Sequence, residues 1–190
     1  EYEIHSQWGA LSRQVMHIQV EVWQGTMERE FERLSRQNRI IDAGNYSATT
    51  REDWWYPLYV EAMCPGLPNW QALTSCADLF KTTVTAPLGR YLAGPWDKPD
   101  GLRIRALGLP FKPIRLNNGD ELWRELAKAH AQKVPIIMFN WTPNWVQAIY
   151  PGRFVEFPQH HQRCAVDESW GVNPSAKHDC GNPRAGWLKK

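Results

Sequence analysis

Over residues 14–23 apolar and polar positions alternate, with Met16, Ile18, Val20 and Val22 interleaved among Val15, His17, Gln19, Glu21 and Trp23. A period of two predicts a strand. The period lengthens over 27–37, where Met27, Phe31 and Leu34 share one face and charges occupy the rest. That spacing predicts an amphipathic helix, with Thr26 placed to cap its start. A short strand is expected at 39–42 (RIID), a turn-rich stretch at 43–53, and an aromatic strand, WWYPLYV, at 54–60. Alternation along that strand turns Trp54 and Tyr56 to one face and Trp55 to the other.

Residues 64–80 carry Pro and Gly punctuation and two short helices, one beginning near Asn69 and one near Ala77. Residues 86–101 (APLGRYLAGPWDKPDG) are dense in Gly and Pro and lack periodicity, so a loop is expected whose backbone amides can face a ligand. FKPIRL at 111–116 reads as a strand, 120–132 as a helix with Leu122, Leu126 and Ala129 inward, and VPIIMFNW at 134–141 as a buried strand. Together these make a β-α-β unit. Thr142 as a cap and Pro143 in the first turn predict a further helix over 142–150. Trp141 then stands at a strand-to-helix switch, and Trp23, followed by a turn and a helix, holds a similar position. In open α/β sheets ligands gather beyond the carboxyl ends of strands, so the two tryptophans point to one site. Neither an internal repeat nor a low-complexity tract occurs.

With 190 residues, 43% of them apolar, the chain can fill one large core or two small ones. No apolar run approaches the roughly 20 residues of a membrane-spanning helix. The net charge of +2 comes from 22 basic and 20 acidic residues, mixed along the chain; without a basic stripe to follow phosphates, nucleic acid is not expected as a partner. P-loop, G-x-S-x-G and H-E-x-x-H motifs are all missing, which argues against the commonest catalytic classes. Eleven tryptophans are the outlier. Wide, electron-rich indole faces bind cations, sugars and nucleobases; most of the eleven are expected in the core, and about three or four at a ligand. The helices speak against a carbohydrate-binding module, since such modules are usually all-β.

Four cysteines fall as two local pairs, Cys64 with Cys76 and Cys164 with Cys180. Disulfides and an oxidising compartment are the natural reading. Zinc held by Cys164, Cys180, His160, His161 and His178 is the rival, disfavoured by irregular spacing and the lack of a C-x-x-C knuckle. A metal-dependent hydrolase built on His160 and His161 with Asp167, Glu168 and Asp179 is a weaker alternative.

The segment FNWTPNWVQAIYPGRFVEFP (139–158) resembles the W-T-P-x-W region of the glycine betaine, choline and proline-betaine binding proteins of ABC importers. VEVWQGT (20–26), CPGLPNWQAL (64–73), ADLF (77–80), GRYLAGPW (89–96) and CGNPRAGWLKK (180–190) resemble further segments of that family in the right order. The resemblance implies an α/β periplasmic-binding-protein fold of two lobes, each a β-sheet flanked by helices, with the ligand in the cleft between them. Residues 1–60 would belong to the first lobe and 61–190 mainly to the second, the chain lacking parts of the family's domain at both ends. It further implies a periplasmic, or otherwise extracytoplasmic and membrane-tethered, protein. Such a protein hands a quaternary-ammonium solute to an ABC permease and uses no cofactor. The same lobes could instead serve as the ligand-sensing domain of a receptor.

Trp23, Trp96 and Trp141 are the expected walls of an aromatic cage, and Asp97 and Lys98 the candidates for its polar end. Trp54 and Tyr56 form a competing aromatic pair. Trp145 is expected to pack, and Trp8, Trp70, Trp123, Trp170 and Trp187 to be structural. The family's Gly-Trp-Gly-Cys turn is replaced here by Gly94, Pro95, Trp96, Asp97 and Lys98, and a His of some relatives by Met27. Both departures weigh toward a ligand without a carboxylate, such as choline.

Overall fold

The computed structural model describes residues 6–45, 47–48, 50–96 and 98–158. The chain divides into two compact units, Glu1–Ser47 and Ala48–Lys190. The aromatic strand at 51–57 pairs within the second unit.

In the first unit α1 spans Ser6–Ser12 and α2 spans Gln24–Arg36. Met27 and Leu34 are buried with Trp8, and Phe31 packs against them, its ring 6.4 Å from that of Trp8. Spacings of four and three residues place all three α2 side chains on one stripe. The helix begins earlier than expected: Trp23 is the N-cap residue, so Thr26 lies inside the first turn. No strand forms at 14–23 or 39–42. Strand backbones need a neighbour to take their hydrogen bonds, and among the described residues nothing pairs with these segments. Their apolar side chains stand in solvent, with Ile18 73%, Val20 77% and Ile41 93% exposed.

A five-stranded sheet organises the second unit. Its strands are β1 (Arg51–Pro57), β2 (Gly89–Ala93), β3 (Phe111–Arg115), β4 (Met138–Thr142) and β5 (Gly152–Phe154), in the order β3-β2-β4-β1-β5. β2 runs parallel to β3 and β4, and β1 runs antiparallel to β4 and β5. Pro113, which has no N–H to donate, is accommodated because β3 lies at the sheet edge. The helices are α3 (Gln71–Cys76), α4 (Asp100–Leu107), α5 (Gly119–Gln132) and the short α6 (Val146–Ile149). β3, α5 and β4 form the expected β-α-β unit, with β2 filling the place between the two strands. Leu122, Leu126 and Ala129 of α5 are buried, as their spacing requires. Cys64 and Cys76 form a disulfide across a sequence separation of 12.

Three expectations are corrected here. Residues 89–93 are a strand near the sheet's middle, not a loop. The flanking glycines serve close packing: a Cβ on Gly89 would lie 2.8 Å from the Ala77 carbonyl oxygen and 2.9 Å from the Phe111 ring. The helix expected over 142–150 shrinks to Val146–Ile149, because Thr142 still belongs to β4. Trp54 and Tyr56, held as candidates for ligand contact, are wholly buried, as is Trp55 on the opposite face. β1 lies inside a sheet covered on both sides. Trp54 stacks on Tyr91 at 3.9 Å and meets Phe111 and Phe157 edge-on.

Candidate functional site

Parallel β2, β3 and β4 end along one edge of the sheet, where antiparallel β1 begins. Each contributes a group there. Trp96 lies three residues beyond β2, Arg115 ends β3, Trp141 is the next-to-last residue of β4, and Glu52 near the start of β1 pairs in register with Trp141. The ring of Trp96 stands 5.2 Å from that of Trp141 at 82°, and Trp123 in the first turns of α5 lies 5.2 Å from Trp141 on another side. Phe139 lies 5.4 Å from Trp96 and 5.9 Å from Trp141. Trp145, half exposed, extends the cluster outward, 5.7 Å from Trp123.

Local structure holds these rings in place. Gly94 leaves room for Trp96, since a Cβ there would lie 2.3 Å from its six-membered ring. The Arg115 guanidinium donates a hydrogen bond to the Trp96 carbonyl oxygen. Asn118 caps α5 by accepting from the Glu121 amide, while the Glu121 carboxylate accepts from the Asn117 amide; this fixes the first turn, directly before Trp123. Asn144 donates from its amide to Asn140 at 3.3 Å and accepts from the Val146 amide, ordering the turn that presents Trp145.

Charge at the site comes from Lys98 and Glu52, with Arg115 beside them on the Trp96 carbonyl. The Lys98 Nζ and Glu52 Oε1 atoms lie 2.6 Å apart. The Lys98 ammonium also sits 5.4 Å above the centre of the Phe139 ring. The loop bearing Trp96 and Lys98 runs directly into α4, which is anchored in the core. Asp100 accepts from the Trp54 indole nitrogen at 2.9 Å, and Arg103 pairs with buried Asp53 at 2.6 Å. Burial pushes the Asp100 carboxyl above the usual carboxylate range, opposed by the Trp54 hydrogen bond and the Arg103 charge. The Arg103 guanidinium also lies 3.9 Å from the centre of the Phe157 ring.

Of the residues singled out in the sequence, Trp96, Trp141 and Lys98 come together. Trp23 packs on the small core of the first unit, and its indole nitrogen donates to the Glu21 carboxylate. Asp97, Cys164, Cys180, the histidines at 160, 161 and 178, Trp170 and Trp187 lie outside the described residues. Trp123, assigned to structure from the sequence, belongs to the cluster, as do Phe139 and Glu52. A signal for Trp123 was present, since it opens the helix that follows a strand, on the same strand-end edge that marked Trp141. Among the described residues no group of three or more His, Cys, Asp or Glu is gathered to hold a metal. None of their helices is long and apolar enough to cross a membrane. The arrangement is a set of indole and phenyl faces with one ion pair beside them, suited to holding a cationic or methylated group.

The family described as the substrate-binding domain of the ABC-type glycine betaine transport system matches residues 3–190. A trimethylamine N-oxide-binding protein of Pelagibacter ubique (strain HTCC1062) is 34% identical over 179 residues, covering 90% of this chain and 54% of that protein. The glycine/betaine/L-proline-binding protein ProX from Borrelia burgdorferi superposes with a TM-score of 0.57 at 17% identity, over 82% of this chain and 56% of that one. Lactococcal OpuAC, in its closed-liganded conformation complexed with glycine betaine, superposes with a TM-score of 0.56 at 13% identity, over 81% and 56%. At such identities the likeness shows the fold alone, that of the type II periplasmic binding proteins. The chain spans about half the length of these relatives.

Proposed function

Because the chain belongs to the family of substrate-binding domains of ABC-type glycine betaine transport systems, we propose that it captures a methylated ammonium compound on the tryptophan cluster at the strand ends. Glycine betaine, choline and trimethylamine N-oxide are the candidates, the last because a relative of 34% identity carries that name. The captured solute is passed to the permease of an ABC importer outside the cytoplasm, a setting with which the Cys64–Cys76 disulfide agrees.

The observation that carries this reading is the near-perpendicular pair of Trp96 and Trp141, 5.2 Å apart at the carboxyl ends of β2 and β4. A quaternary nitrogen has no N–H to donate, so a polar pocket offers it charge alone, whereas indole faces offer attraction and exclude water. Each desolvated indole contributes roughly 1 to 2 kcal/mol. Three such walls, Trp96, Trp123 and Trp141, give about 3 to 6 kcal/mol, against the ~8 kcal/mol of micromolar binding. Polar contacts through Lys98, and through Asp97 beside it, and burial of the methyl groups supply the remainder.

Titration calorimetry of the full chain with glycine betaine, choline, carnitine, proline betaine and trimethylamine N-oxide tests the proposal; heat from none of them refutes it. Trp141→Ala should weaken the bound compound by about tenfold, the worth of one indole face, while circular dichroism shows the fold retained. Unchanged affinity would remove Trp141 from the site.

A further inference from the structure

We infer that Trp54 is a positioning residue that controls ligand affinity from within the core: its indole holds both roots of the loop that carries Trp96, and so sets where that ring stands. The inference rests on the functional reading, since the tryptophan cluster must be the ligand site.

The chain leaves β2 after Ala93 and enters α4 at Asp100, with Trp96 between. On the incoming side Tyr91 of β2 stacks on the Trp54 indole, 3.9 Å between ring centres and 13° between planes. On the outgoing side Asp100, the first residue of α4, accepts a hydrogen bond from the Trp54 indole nitrogen at 2.9 Å. All three side chains are buried. Trp54 also sits in strand register with Phe139, whose ring lies 5.4 Å from that of Trp96.

An indole N–H only donates, and once buried it needs an acceptor; Asp100 supplies one. The face and the edge of a single rigid bicycle therefore fix the chain on either side of Trp96. The loop between these roots is stiff enough to pass their positions on, because Pro95 and Pro99 lock their own φ and confine the residues before them. Arg115 on the Trp96 carbonyl and Lys98 on Glu52 restrain the same loop from its open side. With the Asp100 root released, those bonds keep the loop ordered while its indole turns away from Trp141. A binding group serves only within roughly 0.5 Å of its productive place, so a small shift at the root is felt by the ligand. Trp54, which the sequence offered as a rival for ligand contact, thus acts on the ligand through Trp96.

The full chain, Trp54→Phe, Asp100→Ala and Asp100→Asn are titrated calorimetrically with glycine betaine, choline and trimethylamine N-oxide, and a urea midpoint is recorded for each. Trp96→Ala is measured alone and combined with Trp54→Phe. Trp54→Phe keeps a ring to stack on Tyr91 and to face the Arg103 guanidinium, 6.0 Å from the indole centre, but removes the N–H. Asp100→Asn keeps an oxygen where the carboxylate accepted. Trp54→Phe and Asp100→Ala should each weaken the compounds that the wild type binds by about tenfold, one indole's worth, whereas Asp100→Asn should stay within about threefold of the wild type. On the Trp96→Ala background Trp54→Phe should weaken binding no further, because its effect passes through that ring. A merely structural role would lower the urea midpoint and leave affinity alone, or add its full loss to that of Trp96→Ala. Either result overturns the inference while the cluster remains a ligand site, as does an equal loss in Asp100→Asn and Asp100→Ala. Should Asp100→Ala not fold, Trp54→Phe, alone and on Trp96→Ala, decides. Silence of the wild type toward all three compounds overturns the functional reading and the inference with it.

Discussion

At the scale of single residues, Gly94 decides where the Trp96 ring can stand, although it has no side chain of its own to offer. A methyl group added there would lie 2.3 Å from the Trp96 ring, and Trp96, being only partly buried, can swing away to relieve the clash. Gly94→Ala is therefore expected to lower ligand affinity by about tenfold, one indole's worth, at a stability cost near the low end of the roughly 1 to 3 kcal/mol typical of overpacking. Calorimetry paired with urea unfolding separates the two effects; a large stability loss with full affinity would contradict it. The sequence made Trp141 legible because a motif and a strand end coincide there. It could not rank Trp54 against Trp96. Residue type and alternation say which side of a strand an indole leaves, but not whether that side is covered by another layer.

At the scale of elements, the loop carrying Trp96 and Lys98 owes its place to α4, and α4 owes its place to charge. Arg103 meets Asp53 at 2.6 Å with both side chains almost wholly enclosed. Removing Arg103 takes from buried Asp53 the nearer of its two cations among the described residues, leaving Arg51 at 3.8 Å, a loss of up to about 3 to 5 kcal/mol. Arg103→Met should lose stability of that order in urea unfolding; a loss below about 1 kcal/mol would show the pair to be replaceable by packing. The long amphipathic helices α2 and α5 were readable because a 3.6-residue period is a local property. β2 was hidden since it is five residues long and bracketed by glycines, which in a single sequence look like turn formers. The alternation at 14–23 misled for the converse reason: the pattern is strand-like, but a strand exists only when another backbone pairs with it.

At the scale of the molecule, the core is rich in phenols and indoles, and this sets its response to alkali. Burial, assisted by the nearby Asp100 charge, raises the Tyr91 hydroxyl well above its ordinary value. Burial and a hydrogen bond to Glu61 raise Tyr56, and burial pushes Tyr59 up to about 12. A phenol ionises more easily in the unfolded chain, near about pH 10. The unfolded state then sheds protons that the folded state retains, so stability is complete below about pH 10 and falls as pH rises past it. The urea midpoint should drop as pH rises from about 10 towards about 12, and Tyr91→Phe should flatten the drop; a midpoint independent of pH over that range would refute this. What the sequence determined by itself was local or compositional: the apolar stripes of α2 and α5, the β-α-β unit, the excess of tryptophan, and the motifs that carry the family. Tertiary structure alone decided that Glu52, Trp96, Lys98, Trp123 and Trp141 meet at one edge and that Trp54 and Tyr56 do not. The physical reason is that a side chain's facing follows from its own neighbours in sequence. Which strands lie side by side is settled by competition across the whole chain for backbone hydrogen bonds and buried area.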